Sequence, residues 1–486
     1  MKDNVLAGKV EIPRTIDGGE GRLVTLFGGL GANRERRVHY VFDVGEPDYR
    51  EIVLPVNGSI DSIAFQLPAA AWYERELHDQ YGVEIVGSPD VRPLIFHDHW
   101  PDKIFPMIDP VENVPWSNRE YRFLEVRGEG IAEVAVGPVH AGIIEPGHFR
   151  FSVVGDTVLN LELRHFYTHK GTEKLFESNL LGAGAMIAES ISGDNCFAHA
   201  VCYSQAVENA CGMIVPPRAA ALRLIGLELE RLVCHVSDVG GLCTDVGFGV
   251  VAAQLTRIKE SLLQVSAKCC ETRYWRGISV PGGMRLDIDS GKVLQFSQGV
   301  AAAYRDFANL AQVILNTPSI QNRFEMAGIL RLEAARNLAV VGPVARASGI
   351  NLDVRRDHPY GLYRQHQFEI PVTHYGDVMA RCRIRINEAA ISARLIQEAA
   401  NSLPDGGVFI SPQAQRDIRG HSAVESPRGE LYYWLEAHEG RLTRCHIKSP
   451  SFQNWPAMPF AVTENIIADF PLINKSFNLS YSGCDR

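Results

Sequence analysis

Apolar residues recur every three or four positions along the middle of the chain, which is the spacing of one helix face. In segment 217–239 the steps between successive apolar positions are 3, 4, 3, 4 and 3 residues. These positions are Leu222, Ile225, Leu229, Leu232, Val236 and Val239, with Arg223, Glu228 and Arg231 off the stripe. Similar patterns predict helices at 251–268, 292–314, 326–339 and 380–402. Several long helices with apolar faces indicate a helix bundle in the core.

The N-terminal part shows a different pattern. Val38, Tyr40, Phe42 and Val44 alternate with other residues, which predicts a half-buried strand. Segment 68–82 begins with proline and ends with glycine, and it predicts a short helix.

The composition of the chain divides it near residue 122. Segment 106–122 is rich in proline and predicts a linker between a small α/β domain at 1–122 and a second domain at 123–486. In the second domain a β-rich lead-in at 137–163 precedes the helices, and strands and turns return from residue 406 onward. The predicted fold class is therefore α+β.

Charge and hydropathy exclude several classes of protein. The 486 residues are 46% hydrophobic and 22% charged, with a net charge of −9 and no basic stripe, so we expect no nucleic-acid binding. No apolar run approaches the roughly 18–20 residues of a membrane span. The first five residues lack the apolar stretch of a secretory signal, and we expect a cytoplasmic chain.

The ten cysteines show no C-x-x-C spacing, so the sequence predicts reduced and mostly buried thiols. Neither G-x-G-x-x-G nor the phosphate-binding loop motif is present. We therefore expect no cofactor held by this chain through such motifs, and electron-transfer cofactors would lie in partner subunits.

Two segments carry a family resemblance. Segment 72–83, with Trp72, Glu74, Arg75, Glu76 and Asp79, closely resembles the signature of the small peripheral-arm subunit of respiratory complex I. Segment 87–95 continues it, with a serine at 88 where the family has histidine.

Residues 137–486 resemble the complex I subunit that forms the quinone site. They are equally similar to the large subunit of group 4 energy-converting nickel–iron hydrogenases, including formate hydrogenlyase. The matching segments are 137–150, 167–175, 206–209, 230–232, 282–285, 342–349, 425–431, 447–452 and 484–486. This resemblance implies a fused pair of subunits and, for the second domain, a hydrogenase-large-subunit-like fold with a long-helix bundle and flanking β segments.

The resemblance also indicates which ligands are missing. In hydrogenase large subunits two C-x-x-C pairs bind nickel and iron through thiolates, and the corresponding positions are Ser192, Asn195, Ser480 and Gly483. We therefore expect no metal site, and these four residues would line a vacated cavity. Asp194, in the same segment, is interpreted as a turn-forming residue.

The quinone site of complex I is only partly matched. Its tyrosine position falls on Gly193 and its histidine position on or beside Pro146, whereas its aspartate matches Asp245. A bound quinone stays an open alternative.

Two groups of polar residues are candidates for function. Glu145, between His140 and His148, matches a proton-transfer carboxylate of the hydrogenases, and with Asp245 these residues could form a proton relay. The alternative is a turn in which they cap backbone groups. His169 and Lys170 resemble a pair that in complex I lies near the iron–sulphur cluster of a neighbouring subunit, or they simply begin a surface helix.

The sequence thus predicts a peripheral-arm subunit of a membrane-bound complex I-like or hydrogenase-related oxidoreductase, serving electron transfer or proton coupling. Expected partners are an iron–sulphur small subunit, a ferredoxin-like subunit, and membrane antiporter-like and anchor subunits, which would hold it at the inner face of the membrane. The alternatives are reduction of quinone or another small acceptor in the vacated cavity, or an inert scaffold.

Overall fold

A computed structural model describes residues 10–14, 21–31, 33–109, 111, 116–142, 144–412 and 416–486. The strands are β1 (Arg22–Leu30), β2 (Arg36–Asp43), β3 (Arg50–Val56), β4 (Ser59–Asp61), β5 (Glu84–Val86), β6 (Ile131–Val136), β7 (His148–Val154), β8 (Thr157–Arg164), β9 (Ser279–Val280), β10 (Gly283–Met284), β11 (Asp417–Ser426), β12 (Gly429–His438) and β13 (Arg441–Lys448).

The helices are α1 (Ala70–Tyr81), α2 (Thr172–Phe176), α3 (Gly184–Glu189), α4 (Cys196–Ala210), α5 (Pro217–Asp245), α6 (Gly249–Cys270), α7 (Ser290–Leu315), α8 (Pro318–Phe324), α9 (Leu332–Asn337), α10 (Gly342–Ala347), α11 (Val354–Asp357), α12 (Val378–Asn401), α13 (Pro450–Asn454), α14 (Met458–Val462), α15 (Phe470–Phe477) and α16 (Tyr481–Asp485). Short 3₁₀ turns lie at Gly361–Gln365, Trp455–Ala457 and Ile467–Asp469. The mixture of sheets and a helical core confirms the α+β class.

The N-terminal sheet is antiparallel in the order β1-β2-β3, and α1 packs on β1. Helix α1 confirms the predicted helix, and Gly82 follows it with a positive φ of 63°. Strand β2 confirms the predicted strand, but the half-buried reading was wrong because residues 38–42 are all buried. The His39 ring stacks on Phe27 at 4.7 Å and packs against Trp434 of β12 at 4.9 Å, so the sheet β11-β12-β13 covers the second face.

Helix α5 lies at the centre of the second domain and packs against α12, α6, α4 and α15. The predicted helices at 217–239, 251–268, 292–314 and 380–402 correspond to α5, α6, α7 and α12. Arg223, Glu228 and Arg231, off the apolar stripe, are buried as well. Neighbouring elements therefore surround α5 on all sides, and its charged residues need buried partners.

Two predictions are confirmed only in part. The helix at 326–339 shrinks to α9, because Gly328 takes a positive φ of 62° and residues 326–331 leave the helical conformation. The C-terminal strands end at Lys448, and the chain then forms the short helices α13 to α16.

The boundary of the two domains near residue 122 stays a prediction. The described residues between 111 and 130 form neither helix nor strand. The two domains share a buried interface: the Thr25 hydroxyl lies 2.7 Å from Nε2 of His446, and Arg22 binds Glu430.

All ten cysteines are free and nine are buried, as the sequence predicted. Among the described residues, no helix combines the length and the apolar character that crossing a bilayer requires.

Candidate functional site

Two loops that are far apart in sequence meet at the four positions predicted to be vacated ligand sites. Ser192 lies before α4 and Ser480 before α16, and their Oγ atoms are 3.1 Å apart. The Gly483 N–H donates to Ser480 Oγ at 2.9 Å, and a β-carbon built at Gly483 would lie 3.6 Å from Cβ of Ser192. Asn195 begins α4 and is buried. We call these four residues the hydroxyl cluster.

Arg428, in the turn between β11 and β12, binds the first loop of the cluster. Its guanidinium donates to both carboxylate oxygens of Asp194, at 2.6 and 3.0 Å, and to Oδ1 of Asn195 at 3.4 Å. Ser192 Oγ also donates to Asp194. Burial alone would raise the pKa of Asp194, but Arg428 holds it at about 2, so this carboxylate is ionised. Asp194 is thus an ion-pair partner as well as a turn residue.

Glu145 reaches the cluster from the loop before β7. Its Oε2 accepts a hydrogen bond from the Ser482 N–H at 2.9 Å, and its side chain is half-buried. The flanking histidines bond elsewhere: His140 Nε2 lies 2.7 Å from the Gly147 carbonyl, and His148 Nδ1 lies 3.3 Å from that of Gly137. The structure therefore joins Glu145 to the cluster, whereas the two imidazoles stabilise the turn.

His169 and Lys170 lie just before α2, and each contacts one of the two loops of the cluster. His169 Nδ1 lies 2.6 Å from the Asp485 carbonyl oxygen. Lys170 Nζ donates to the carbonyls of Ser190 and Ile191 at 2.8 and 3.0 Å. The pair therefore connects the two loops of the cluster through backbone groups, and its position relative to a partner's iron–sulphur cluster stays a prediction.

Asp245 is not part of this cluster. It is the last residue of α5 and is exposed. Partial burial raises its pKa, and the charge of Lys475 opposes that shift. Glu145 binds the Ser482 N–H instead, and among the described residues no direct contact joins the two carboxylates of the relay predicted from Glu145 to Asp245.

Glu230 is a buried acid that sequence reasoning did not select. Its carboxylate accepts hydrogen bonds from the N–H groups of Phe197 and Ala198 at 2.8 and 3.1 Å, in the first turn of α4. Burial is the largest influence and raises the pKa of Glu230 to about 8. Such an acid can take up and release a proton near neutral pH.

A cavity of about 400 Å³ lies beside the hydroxyl cluster, between the second half of α5 and α6. Asp194 and Asn478, each within two residues of a member of the cluster along the chain, belong to its wall. Half of the Asp194 side chain is accessible. Glu230 also lines it.

Arg428 and Glu230 lie inside segments that carried the family resemblance, at 425–431 and 230–232. Their place within these segments was the sequence signal that could have identified both residues. The sequence alone did not show that Arg428 pairs with Asp194, because 233 residues separate them along the chain and only the fold brings them together.

Comparison with known proteins identifies the family of the chain. The family model of the respiratory-chain NADH dehydrogenase 49 kDa subunit matches residues 245–419 and 412–486, and that of the 30 kDa subunit matches residues 23–111. Formate hydrogenlyase subunit 5 of Escherichia coli is 33% identical, over 87% of this chain and 76% of that protein. Hydrogenase-4 component G of Escherichia coli is 32% identical, over 96% of this chain and 84% of that protein.

A solved structure shares the fold. A chain of the membrane-bound sulfane sulfur reductase, an archaeal respiratory membrane complex, superimposes with a TM-score of 0.69 and 24% identity, over 74% of this chain and 99% of that chain. The chain therefore belongs to the family of the complex I 49 kDa subunit and the group 4 hydrogenase large subunits, with a 30 kDa-type domain fused to it in the same polypeptide.

Proposed function

We propose that this chain is the peripheral-arm large subunit of a membrane-bound oxidoreductase complex, and that it works without a nickel–iron centre. The observation that carries the proposal is the hydroxyl cluster. Ser192, Ser480 and Gly483 contact one another and Asn195 lies in the loop of Ser192, yet the four positions supply two hydroxyls, one amide and one glycine.

The donors present do not fit nickel and iron. Such a centre needs soft, deprotonated thiolates, and hydroxyl and amide groups suit harder cations. Cys196 and Cys484 each lie one residue beyond a vacated position, but both are buried and burial raises the pKa of each thiol. Within the described residues, no group of three or more histidine, cysteine and acidic side chains is arranged to hold a metal.

The role that remains is coupling. Electrons would stay in an iron–sulphur partner subunit, and a ferredoxin-like subunit would supply them. This chain would dock that partner and the membrane antiporter-like and anchor subunits, which place it at the cytoplasmic face of the membrane. Glu145, which accepts the N–H of Ser482, and Glu230, which accepts two N–H groups of α4, are our candidate carboxylates for proton transfer.

Affinity purification of the tagged full chain from detergent-solubilised membranes tests this proposal. We expect membrane subunits and an iron–sulphur protein to co-purify, with less than about 0.1 nickel per chain because thiolate ligands are missing. Formate hydrogenlyase from Escherichia coli, prepared in the same way, is the control. About one nickel per chain would refute the absence of the centre, and a chain recovered alone from membranes would refute its role as a subunit.

The cavity supports a second candidate function, the reduction of a small acceptor such as a quinone. Asp194 and Asn478, next to the two loops of the cluster, belong to its wall. Addition of decylubiquinone to the dithionite-reduced complex should then reoxidise its iron–sulphur clusters, as followed by electron paramagnetic resonance. Clusters that stay reduced would exclude quinone as this acceptor.

A further inference from the structure

The cavity beside the hydroxyl cluster has both apolar and charged walls. Leu229, Val233, Leu263 and Trp275 supply apolar surface. Asp194, Glu230, Asp238, Lys259, Arg273 and Lys475 supply ionisable groups. Its volume of about 400 Å³ is within the range of small-molecule sites. The ligand that the cavity favours depends on which of these ionisable groups are already paired within the protein.

The carboxylates of the cavity are all balanced within the protein. Asp194 is paired with Arg428, and Asp238 accepts a hydrogen bond from Nε of Arg385 at 2.9 Å. Glu230 is bound by two backbone N–H groups, and its pKa of about 8 keeps it protonated at neutral pH. None of these groups therefore needs a cation from solution.

The two lysines of the cavity have no such balance. Lys259 Nζ donates to the neutral Ser237 hydroxyl at 3.2 Å. The stem of Lys475 crosses Gly241, where a β-carbon would lie 3.0 Å from its Cδ and 3.5 Å from its Cε. Within the described part of the chain, neither lysine forms an ion pair. Ser237 and Gly241 are four residues apart on α5, which is roughly 6 Å along the helix axis. The two lysine side chains therefore contact the same face of α5 about one turn apart.

Two neighbouring charges do not change this balance. Arg273 is held by Glu260 through two hydrogen bonds of 2.9 and 2.6 Å. Asp245, one turn beyond Gly241, interacts with Lys475 only through space and lies outside the cavity wall. Lys259 likewise interacts with Glu260, its neighbour in sequence, only through space. The cavity thus presents, next to apolar surface, two ammonium groups that form no ion pair among the described residues.

We propose that this cavity binds a small organic carboxylate. The carboxylate would lie between Lys259 and Lys475, and its apolar portion would pack on Leu229, Val233 and Leu263. A neutral ligand would leave both ammonium groups unpaired, and a small inorganic anion would leave the apolar walls uncovered. This inference does not require the chain to be part of a membrane complex, and it favours a carboxylate over the quinone of the second candidate function as the occupant of the cavity.

Isothermal titration of the purified full chain with sodium hexanoate tests the proposal, with hexanamide as the neutral probe of matched shape. We expect hexanoate to bind at least about tenfold more tightly than hexanamide, because only the anion pairs with the lysines. Affinity should rise from acetate to hexanoate by roughly three- to fourfold for each buried methylene group.

Lys259→Met and Lys475→Met should each weaken hexanoate binding by about tenfold or more. Lys268→Met is the control, because Lys268 lies on α6 like Lys259 but is exposed and outside the cavity wall. Lys259→Gln and Lys475→Gln repeat the test, and unchanged urea midpoints show that all variants fold.

Four results would overturn the proposal. Hexanoate does not bind, hexanamide binds equally well, the lysine variants bind hexanoate like the unchanged chain, or inorganic phosphate or decylubiquinone displaces hexanoate with higher affinity. The last result would assign the cavity to an inorganic anion or to a neutral quinone.

Discussion

Glu145 is half-buried and accepts one hydrogen bond from the N–H of Ser482, which lies next to Gly483 of the hydroxyl cluster. Glu145→Gln keeps an acceptor oxygen for that N–H but removes the ionisable proton. We therefore expect assembly to be unchanged and proton-coupled activity of the complex to fall at least about tenfold, the scale of a lost acid–base group. Proton pumping in membrane vesicles measures this.

Glu129→Gln is the matched control, because Glu129 is exposed and distant in sequence from the cluster loops. Full pumping by Glu145→Gln would show that the carboxylate only caps the backbone. Loss of assembly would assign it a structural role.

His165 packs among aromatic rings, 4.2 Å from Trp455, and neither ring nitrogen has a hydrogen-bond partner among the described residues. Burial lowers its pKa to about 3. The unfolded chain binds a proton below about pH 6.5 and the folded chain does not, so this residue's contribution to stability falls as pH decreases from 6.5 toward 3.

In the unchanged chain, His165 should lower the free energy of unfolding by about 2 kcal/mol between pH 8 and pH 5. We therefore expect His165→Phe to remove this part of the loss. Urea titrations at both pH values measure this difference. The exposed His374→Phe serves as control, and a difference shared by both variants would contradict the assignment to His165.

Residue-level features were only partly predictable from the sequence. The positions of Ser192 and Ser480 followed from the family resemblance, but their Oγ contact joins residues 288 positions apart. The partner of Asp194 and the burial of Glu230 depend on tertiary packing, and local patterns contain no information about such contacts.

Helix α12 binds α5 through buried charges as well as apolar packing. Glu388 is fully buried and accepts hydrogen bonds from Arg346 at 2.8 Å and from His235 at 2.8 Å. Although burial alone would raise the pKa of Glu388, Arg346 and His235 lower it below its usual range.

Glu388→Gln should lower the free energy of unfolding by about 2–3 kcal/mol, because it removes one charged hydrogen-bond partner of Arg346, which keeps Glu425 and Asp353 as counter-charges in the core. Glu398→Gln, on the same helix but in a surface pair with Arg394, should cost less than about 1 kcal/mol. Chemical denaturation compares the two, and equal losses would contradict a special role for the buried pair.

The long helices could be predicted because each keeps an apolar face over several turns. The sequence did not predict that α5 is surrounded, since the burial of Glu228 and Arg231 depends on Arg355 and on the carbonyls of Glu425 and Ser426. The helix predicted at 326–339 failed at Gly328, where the chain turns to place its N–H on Asn465.

At the scale of the whole molecule, Arg22 of β1 joins the two domains. Its guanidinium donates two hydrogen bonds of 2.8 Å to Glu430 of β12, which is fully buried and also binds Lys448. Arg22→Met should cost about 2–3 kcal/mol, since Glu430 keeps only one of its two cations.

Calorimetry should show this loss as an earlier unfolding transition of the N-terminal domain. Arg37→Met is the control, because Arg37 lies on the same sheet and pairs with Glu35 at the surface. Two variants with the same transition temperature would show that the link between the domains does not depend on Arg22.

The fusion of the two domains fixes their ratio at one to one in every molecule that is translated. Two separate chains would have to meet by diffusion, whereas the tethered domains see each other at an effective concentration in the millimolar range. The N-terminal domain therefore cannot be exchanged between complexes or be left out when expression is unbalanced. A cell that makes this chain can adjust the amount of the complex, but not the share of it that contains the small domain.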